Sequence, residues 1–302
     1  MKRFIIKLLI LLIVLIFIDQ SIGAILQYCV LHSKGGITGR NNYILNHTNE
    51  DCLIFGSSKA SHHYIPSVFK DSTGLTTYNC GQDGNGIYYA YPVITTILNR
   101  YSPNCIIYDV KPEFDLWEYQ SDERYISSLK LFYGQSEIID SIIYSIDPIM
   151  KIKFLAKSYL FNSQITTPIM GIIKSKPSGD NGFLPLNGTF DGDIKVMSSN
   201  YQYDNNKINL LEKLILKCRN RTQLIFAVSP SLYEEDIEIY MPIYKLCKKH
   251  NIPFLFYGDK DEFINKKKIF KDSPHLNEYG ALLYSQIISR DINKIIHSIS
   301  HH

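Results

Sequence analysis

The sequence predicts an α/β fold, a doubly wound parallel five-stranded sheet with helices on both faces. Several short segments are apolar throughout rather than alternating, which is typical of strands buried on both faces of a parallel sheet. These segments alternate with longer stretches that can be helical, as strand and crossover helix do in such folds. The chain has 302 residues, of which 45% are apolar, enough for one large domain with a packed core.

The elements follow one another along the chain in the order that this fold requires. Strands are predicted at residues 51–55, 75–80, 105–108, 223–228 and 253–257. Helices are predicted at residues 61–70, 87–100, 233–249 and from 277 to at least 288. Together they define one α/β domain over residues 50–296, followed by a tail at 297–302.

A long insertion, residues 116–206, separates the third predicted strand from the fourth. Its first part, through residue 161, is predicted to be helical, with Asp147-Pro148 as a helix start. Its later part, residues 175–205, is rich in Gly, Asn, Asp and Ser. Long insertions in compact domains usually form lids or binding loops, so we expect substrate specificity to lie here.

The N-terminus carries a strongly apolar segment, residues 4–18, flanked and interrupted by basic residues. A cleaved signal peptide would look similar, but apolar character resumes at residues 22–31, which favours an uncleaved signal anchor. Residues 1–31 are therefore predicted to be a transmembrane helix. Because basic residues favour the cytoplasmic side, the domain is expected outside the cytoplasm, in a periplasmic location. The polar stretch 32–49 is predicted to be a tether between membrane and domain.

Charge and cysteine content argue against two classes of partner. Thirty-two basic residues stand against 29 acidic ones, giving a net charge of +3 without a basic stripe, so no nucleic acid is expected. The six cysteines do not combine with one another or with histidines at metal-ligand spacing. Neither a metal nor another cofactor is therefore predicted.

The most informative stretch follows the first predicted strand, where apolar residues stop at Gly56 and two serines, Ser57 and Ser58, precede a possible helix. Ligands of open α/β sheets bind beyond the carboxyl ends of the strands, so a hydroxyl at this turn would face the site. A turn that only caps a helix is the alternative.

Downstream, Asp272 and His275 precede the last helix, and a nucleophilic serine needs such a base oriented by a carboxylate. The alternative for His275 is a surface residue near a helix start.

The second motif in chain order, Asn79-Cys80-Gly81-Gln82-Asp83-Gly84, follows the second strand. Its glycines allow backbone N–H groups to approach a ligand closely. An oxyanion intermediate needs donors of this kind, aimed at the position where charge develops. An ordinary glycine-rich turn is the alternative.

In order and placement, these three motifs resemble those of the SGNH (GDSL-like) hydrolase superfamily. The resemblance covers about residues 52–288, apart from the insertion. The Gly-Ser-Ser start, the N-terminal anchor and the Gly-Phe-Leu-Pro stretch at residues 182–185 look similar to its membrane-anchored, extracytoplasmic branch, which is associated with acyl transfer to cell-envelope polymers.

The resemblance implies a role for each matching residue. Ser58 corresponds to the nucleophile, His275 to the general base and Asp272 to the residue that orients the base. The backbone N–H groups of Ser58 and Gly84 correspond to oxyanion donors. One departure is Phe114, which stands where the family's third block usually carries an asparagine donor.

Further candidates lie near these motifs. His62 and His63 follow Ser58 at helical spacing and are candidates for substrate binding, with packing on the first helix as the alternative. Asn79 is a third substrate-binding candidate. Lys59, beside the candidate nucleophile, is expected to face solvent, with tuning of the serine as the alternative.

These residues together predict a membrane-anchored serine esterase or O-acyltransferase that acts on cell-envelope glycans through an acyl-enzyme. Water or a polymer hydroxyl would accept the acyl group, and a multispanning membrane protein is a candidate acyl donor. The alternative, motivated by Phe114, is a catalytically inactive module that binds a glycan or an envelope-assembly partner.

Overall fold

The computed structural model describes residues 1–118, 123–173, 180–192 and 201–299. The chain divides into two compact units, which are described separately. Unit 1 comprises Met1–His47 and Asp122–Pro177, and unit 2 comprises Thr48–Ser121 and Ser178–His302.

The strands, all in unit 2, are β1 (Cys52–Gly56), β2 (Thr77–Asn79), β3 (Cys105–Asp109), β4 (Gln223–Val228) and β5 (Phe254–Phe256). The α-helices are α1 (Lys2–His32), α2 (Gly36–Asn46), α3 (Ser58–His63), α4 (Pro66–Thr73), α5 (Ile87–Arg100), α6 (Pro112–Asp115), α7 (Glu123–Leu129), α8 (Glu137–Ile146), α9 (Met150–Lys153), α10 (Thr166–Ile173), α11 (Asn205–Cys218), α12 (Met241–His250) and α13 (Glu278–Ile299). Short 3-10 helices occupy Lys130–Phe132, Lys157–Phe161, Ile237–Tyr240 and Lys267–Ile269.

The five strands form one parallel sheet in the order β2-β1-β3-β4-β5, which confirms the predicted α/β class and strand number. Every residue of β1 and β3 is buried, as their continuous apolar sequences require. In the register of these two strands Gly56 lies opposite Asp109. The loops that follow β1 and β3 therefore leave the same edge of the sheet. The strand order is consistent with the doubly wound arrangement expected.

The helix predicted at residues 61–70 is instead two helices, α3 and α4. Pro66 explains the break, because proline lacks a backbone N–H and disfavours helical geometry at the residue before it, here Ile65. Ile65 is extended, and Pro66 then takes a first-turn position of α4, where proline is tolerated. Since α3 already begins at Ser58, the candidate nucleophile is its first residue.

Unit 1 contains α1, α2 and helices α7 to α10 of the insertion, whose first part is helical as predicted. The segment predicted as a tether differs from expectation, because most of it forms α2. This helix is tied to the end of α1: the amide of buried Asn42 donates to Leu31 O at 2.8 Å and to Ser33 O at 3.3 Å.

Two predicted segments, the loop at 175–205 and the C-terminal tail, lie partly outside the residues that the structure describes. Of the predicted loop at 175–205, residues 175–179 and 193–200 lie outside the described residues. The described part is irregular apart from an isolated bridge between Trp117 and Tyr203 and the start of α11. Helix α13 continues into the predicted tail, of which residues 300–302 are not described.

Candidate active site

Three predicted residues meet at the carboxyl edge of the sheet. The Nε2 atom of His275 lies 2.8 Å from the Oγ atom of Ser58, although the two residues are 217 positions apart. The Nδ1 atom of His275 lies 2.8 and 3.0 Å from the two carboxylate oxygens of Asp272. A carboxylate can only accept, so Nδ1 carries the proton and Nε2 is left to accept from the Ser58 hydroxyl. This is the order of groups that activates a serine.

The side chain of Asp272 is 47% exposed and that of His275 is 19% exposed. Partial burial raises the pKa of Asp272, but the hydrogen bonds and charge of His275 outweigh it, and the pKa is lowered below its usual value. Asp272 is therefore ionised at neutral pH and can stabilise a protonated His275.

The two adjacent serines of the turn have different surroundings. Ser58 is partly exposed and contacts His275. Ser57 is only 1% exposed, and within the described part of the chain its Oγ atom has no hydrogen-bond partner. Only Ser58 is therefore both accessible and paired with a base.

His63 lies behind the His275 loop rather than in the cleft. It is fully buried, and its Nε2 atom accepts a hydrogen bond of 3.0 Å from the backbone N–H of Leu276. Burial, followed by the charge of Lys59, lowers its pKa well below the usual value, so the ring is neutral, as an accepting Nε2 requires. The packing alternative therefore describes His63 better than substrate binding does. Its contact holds the residue next to His275.

His62 lies at the side of the candidate base, with its ring 5.6 Å from the His275 ring in an edge-on arrangement. Its Nδ1 atom lies 2.6 Å from Leu184 O, and its Nε2 atom lies 3.4 Å from the carboxylate of Asp83. Burial lowers its pKa, but Asp83 and Leu184 O outweigh that effect and the pKa is raised. His62 thus contacts both Leu184 of the Gly-Phe-Leu-Pro stretch and Asp83 of the second motif, beside the candidate triad.

Asn79 is completely buried, in disagreement with its prediction as a substrate-binding residue. Its amide nitrogen donates to Ala60 O at 2.7 Å and Tyr64 O at 2.9 Å, and its amide oxygen accepts from Gly81 N at 2.9 Å. Sequence spacing had correctly placed it at a strand end. Its side chain is hydrogen-bonded to the backbone of α3 and of the residue after it, so Asn79 fixes β2 to α3.

The second motif brings a backbone donor to the same edge. Gly84 is partly exposed and adopts the left-handed region, with φ of 68°. Gly81 packs so tightly on α3 that an added Cβ would lie 2.4 Å from Ser61 N. Among the hydrogen bonds of the described chain, the backbone N–H groups of Ser58 and Gly84 have no backbone acceptor. Both remain available to a ligand, as the resemblance implies for oxyanion donors.

The loop after β3 presents no side-chain amide at the expected position. Phe114 packs on Gly86, where an added Cβ would lie 2.6 Å from the Cβ of Phe114. The neighbouring Asp115 is buried and accepts from Ile87 N at 2.8 Å, Tyr108 Oη at 2.7 Å and Lys111 N at 2.8 Å. Burial raises its pKa to about 7. Asp115 therefore fastens this loop to the start of α5.

Two lysines near the site were not predicted to have a role. The expectation that Lys59 faces solvent is wrong: it is 3% exposed, and its Nζ atom lies 2.6 Å from Glu235 Oε1 and 2.9 Å from Ser229 O. Burial lowers its pKa, but the charge of Glu235 outweighs this and the pKa is raised, so the ion pair is maintained. No local signal identifies Glu235, which is 176 residues away.

Lys111, in the loop after β3, is mostly buried, and burial lowers its pKa. Its positive charge is one of the influences that lower the pKa of Asp272, so it lies within electrostatic reach of the triad. The sequence signal was its position two residues beyond Asp109, at the end of a central strand.

No family model matches the sequence, and no curated protein matches it significantly. Among the residues that the structure describes, no group of three His, Cys, Asp or Glu side chains is placed to hold a metal ion. A function proposed for this chain therefore rests on the geometry of its own residues.

Proposed function

We propose that this chain is a serine acyl ester hydrolase or O-acyltransferase of the SGNH-hydrolase type. The observation that carries the proposal is the continuous hydrogen-bonded series from Ser58 Oγ through His275 to the Asp272 carboxylate. Its two bonds are within the range that proton transfer to a general base requires. The partly exposed Ser58 and the free backbone N–H groups of Ser58 and Gly84 add the access and the donors that acyl transfer needs.

The reaction follows from these positions. Ser58 Oγ attacks the ester carbonyl carbon while its proton passes to His275 Nε2, and the negative oxygen of the tetrahedral intermediate is stabilised by the two backbone N–H groups. The bond from carbonyl carbon to alcohol oxygen then breaks, and the departing alcohol takes the proton from His275. An acyl-Ser58 ester remains. Water or a polymer hydroxyl then gives its proton to His275 and attacks the acyl carbon. The bond from that carbon to Ser58 Oγ breaks, and Ser58 Oγ takes the proton back from His275.

The proposed substrate class follows from the N-terminal helix. Helix α1 is long and apolar enough to cross a membrane, and only 6% of its most apolar 18-residue stretch is buried. Lys2, Arg3 and Lys7 at its start favour a cytoplasmic N-terminus, which supports an extracytoplasmic domain. A tethered enzyme works at high effective concentration near the membrane. We therefore infer that it acts on acylated cell-envelope glycans, with a multispanning membrane protein as a candidate acyl donor.

Turnover of acetyl esters by the full-length protein tests this proposal, with the adjacent serines as a matched pair. Ser58→Ala is expected to lower kcat/KM by about 10⁴-fold or more, because the nucleophile is lost. Ser57→Ala removes a buried hydroxyl that has no base and is expected to stay within about threefold of wild type. Equal activity of wild type and Ser58→Ala would contradict the mechanism.

Phe114 supports a second candidate function, a non-catalytic module that binds glycans or an envelope-assembly partner in the same cleft. An aromatic ring at the usual donor position removes a group whose loss typically costs about 100- to 1000-fold in rate. This function predicts that acylated glycans bind wild type and Ser58→Ala with equal affinity, while neither protein consumes them.

A further inference from the structure

Unit 1 exposes a group of apolar side chains close to α1. Ile149, Ile152 and Leu155 are 51%, 68% and 72% exposed, and they recur at intervals of three residues through and just beyond α9. Exposed Lys151 and Lys157 lie between and beside them. These five residues are called the interfacial surface below. Apolar and basic residues mixed in this way are typical of segments that lie in a membrane interface.

The interfacial surface is held against one short stretch of α1, residues 19–23. The carboxylate of Asp19 accepts from Lys157 N at 2.8 Å and from Ser158 N at 3.1 Å. The side chain of Gln20 donates to Leu155 O at 2.9 Å. Gly23 lies against Lys157 so closely that an added Cβ would be 2.3 Å from the Cβ of Lys157. The turn at residues 155–158 is thus fixed against residues 19–23.

This level coincides with the place where a membrane boundary is expected. The apolar segment at residues 4–18, interrupted by a single basic residue, Lys7, has fifteen residues and spans about 22 Å as a helix. A hydrocarbon core of about 30 Å needs about 20 residues. The core therefore extends roughly 8 Å beyond Ile18, to the part of α1 on which the turn is fixed. There the polar groups of Asp19 and Gln20 are already paired with the turn.

We propose that the interfacial surface is embedded in the membrane itself, so that unit 1 is held by lipid as well as by α1. The occupant is the leaflet from which α1 emerges: the three apolar side chains enter the boundary between acyl chains and headgroups, and the two lysines extend to the phosphates. The inference rests on the proposed membrane anchoring by α1 and is independent of the proposed chemistry.

A second exposed apolar position in unit 1 provides a matched control. Ile173, at the end of α10, is 70% exposed, similar to Leu155. The same helix contacts the turn that follows α1, because Gly171 O accepts from Lys34 N at 3.0 Å. Along the axis of α1, residue 19 lies about 20 Å from the last residue, His32. Ile173 and Leu155 therefore match in exposure and in apolar character and differ only in their expected depth relative to the membrane.

The test is the depth of single tryptophans in the full-length protein in lipid nanodiscs that contain brominated lipids. Trp117 is the only native tryptophan, and Trp117→Phe keeps an aromatic ring against Tyr201. In that background, Leu11→Trp reports on the anchor, Ile152→Trp and Leu155→Trp on the interfacial surface, and Ile173→Trp on the control. Turnover of acetyl esters by each variant is recorded separately.

Leu11→Trp is expected to be quenched most by bromine near the bilayer centre. Ile152→Trp and Leu155→Trp are expected to lose at least about half of their fluorescence to bromine near the headgroups, since interfacial residues lie about 5–10 Å deep. Ile173→Trp is expected to be unquenched.

Quenching of Leu11→Trp alone would overturn the inference and leave the anchor intact, and would point to a membrane protein as the partner of this surface. No quenching of Leu11→Trp would overturn the anchor and the inference together.

Discussion

The loops after β1 and β3 leave neighbouring strands at the same sheet edge, yet they use their polar residues in opposite ways. The loop after β1 holds Ser58 partly exposed, with its hydroxyl against His275. At β3, the aspartate that ends the strand and the one that follows in α6 both turn inward, so that Asp109 is 1% exposed and Asp115 is fully buried. Position at the end of a strand is therefore not sufficient to make a residue reactive.

The difference between the two loops lies in what faces each polar group. Ser58 faces a base carried by a separate segment, and its environment remains open to a ligand. Asp115 accepts from backbone and side-chain groups of its own unit, including Ile87 N at the start of α5. The β1 loop thus carries the candidate nucleophile, while Asp115 fixes the β3 loop to the start of α5. Variants that exchange or remove these roles test the comparison.

Among the variants considered next, the largest effect is expected from Asp272→Asn, which changes the partner of the base that faces Ser58. Asparagine preserves shape but no longer stabilises a protonated His275, and it permits the wrong ring tautomer. We expect kcat for acetyl esters to fall by about 100- to 10⁴-fold. Thermal unfolding is the control: because Asp272 is half-exposed, Tm is expected to change little. A normal kcat in this variant would mean that Asp272 does not orient the base.

A smaller effect, on stability, is expected from Asp115→Asn in the β3 loop. The new amide N–H₂ would face a backbone donor, Lys111 N or Ile87 N, and leave it unpaired. We expect the free energy of unfolding, measured in urea, to fall by about 1–3 kcal/mol.

The pH dependence of the same variant sharpens this prediction. The folded pKa of Asp115, about 7, is raised above the usual 3.8, so its protonated form contributes stability at low pH that is lost as pH rises toward and through 7. Asparagine does not titrate, so the difference in unfolding free energy between wild type and variant should be larger at pH 5 than at pH 8. The opposite order would contradict burial as the cause of the raised pKa.

The smallest effect at neutral pH is expected from His63→Gln, behind the reactive loop. Glutamine can still accept from Leu276 N but cannot gain a proton. The folded pKa of His63 is depressed below 6.5, so wild type keeps this stability above pH 6.5 and loses up to about 1.4 kcal/mol per pH unit as pH falls below it. Urea unfolding at pH 7.5 and 5.5 should show a smaller loss in the variant. An equal loss would mean that His63 is not the group responsible.

Much of the fold and the three central residues were predictable because their signals are local. Continuous apolar runs marked the strands, and β4 has the predicted bounds. Ser58, Asp272 and His275 each belong to a short motif at a strand end or before a helix, and the sheet brings these ends together. The break between α3 and α4 also had a local signal in Pro66.

The other features depend on contacts between distant residues, which spacing does not encode. Lys59 could not be placed without Glu235, and Asn79 could not be recognised as buried without the backbone of α3 beside it. His62 and His63 are adjacent on a short helix, so sequence could not tell which one faces the cleft. The structure distinguishes them by Leu276 on one side and Asp83 on the other.

Labelling with a fluorophosphonate probe tests most directly whether Ser58 is an activated nucleophile. Intact mass would be measured for the full-length wild type, Ser58→Ala, Ser57→Ala and His275→Ala. We predict one adduct on wild type and Ser57→Ala, none on Ser58→Ala, and labelling slowed by about 100-fold or more on His275→Ala. An unlabelled wild type that is folded, or an adduct that persists in Ser58→Ala, would contradict the proposed triad.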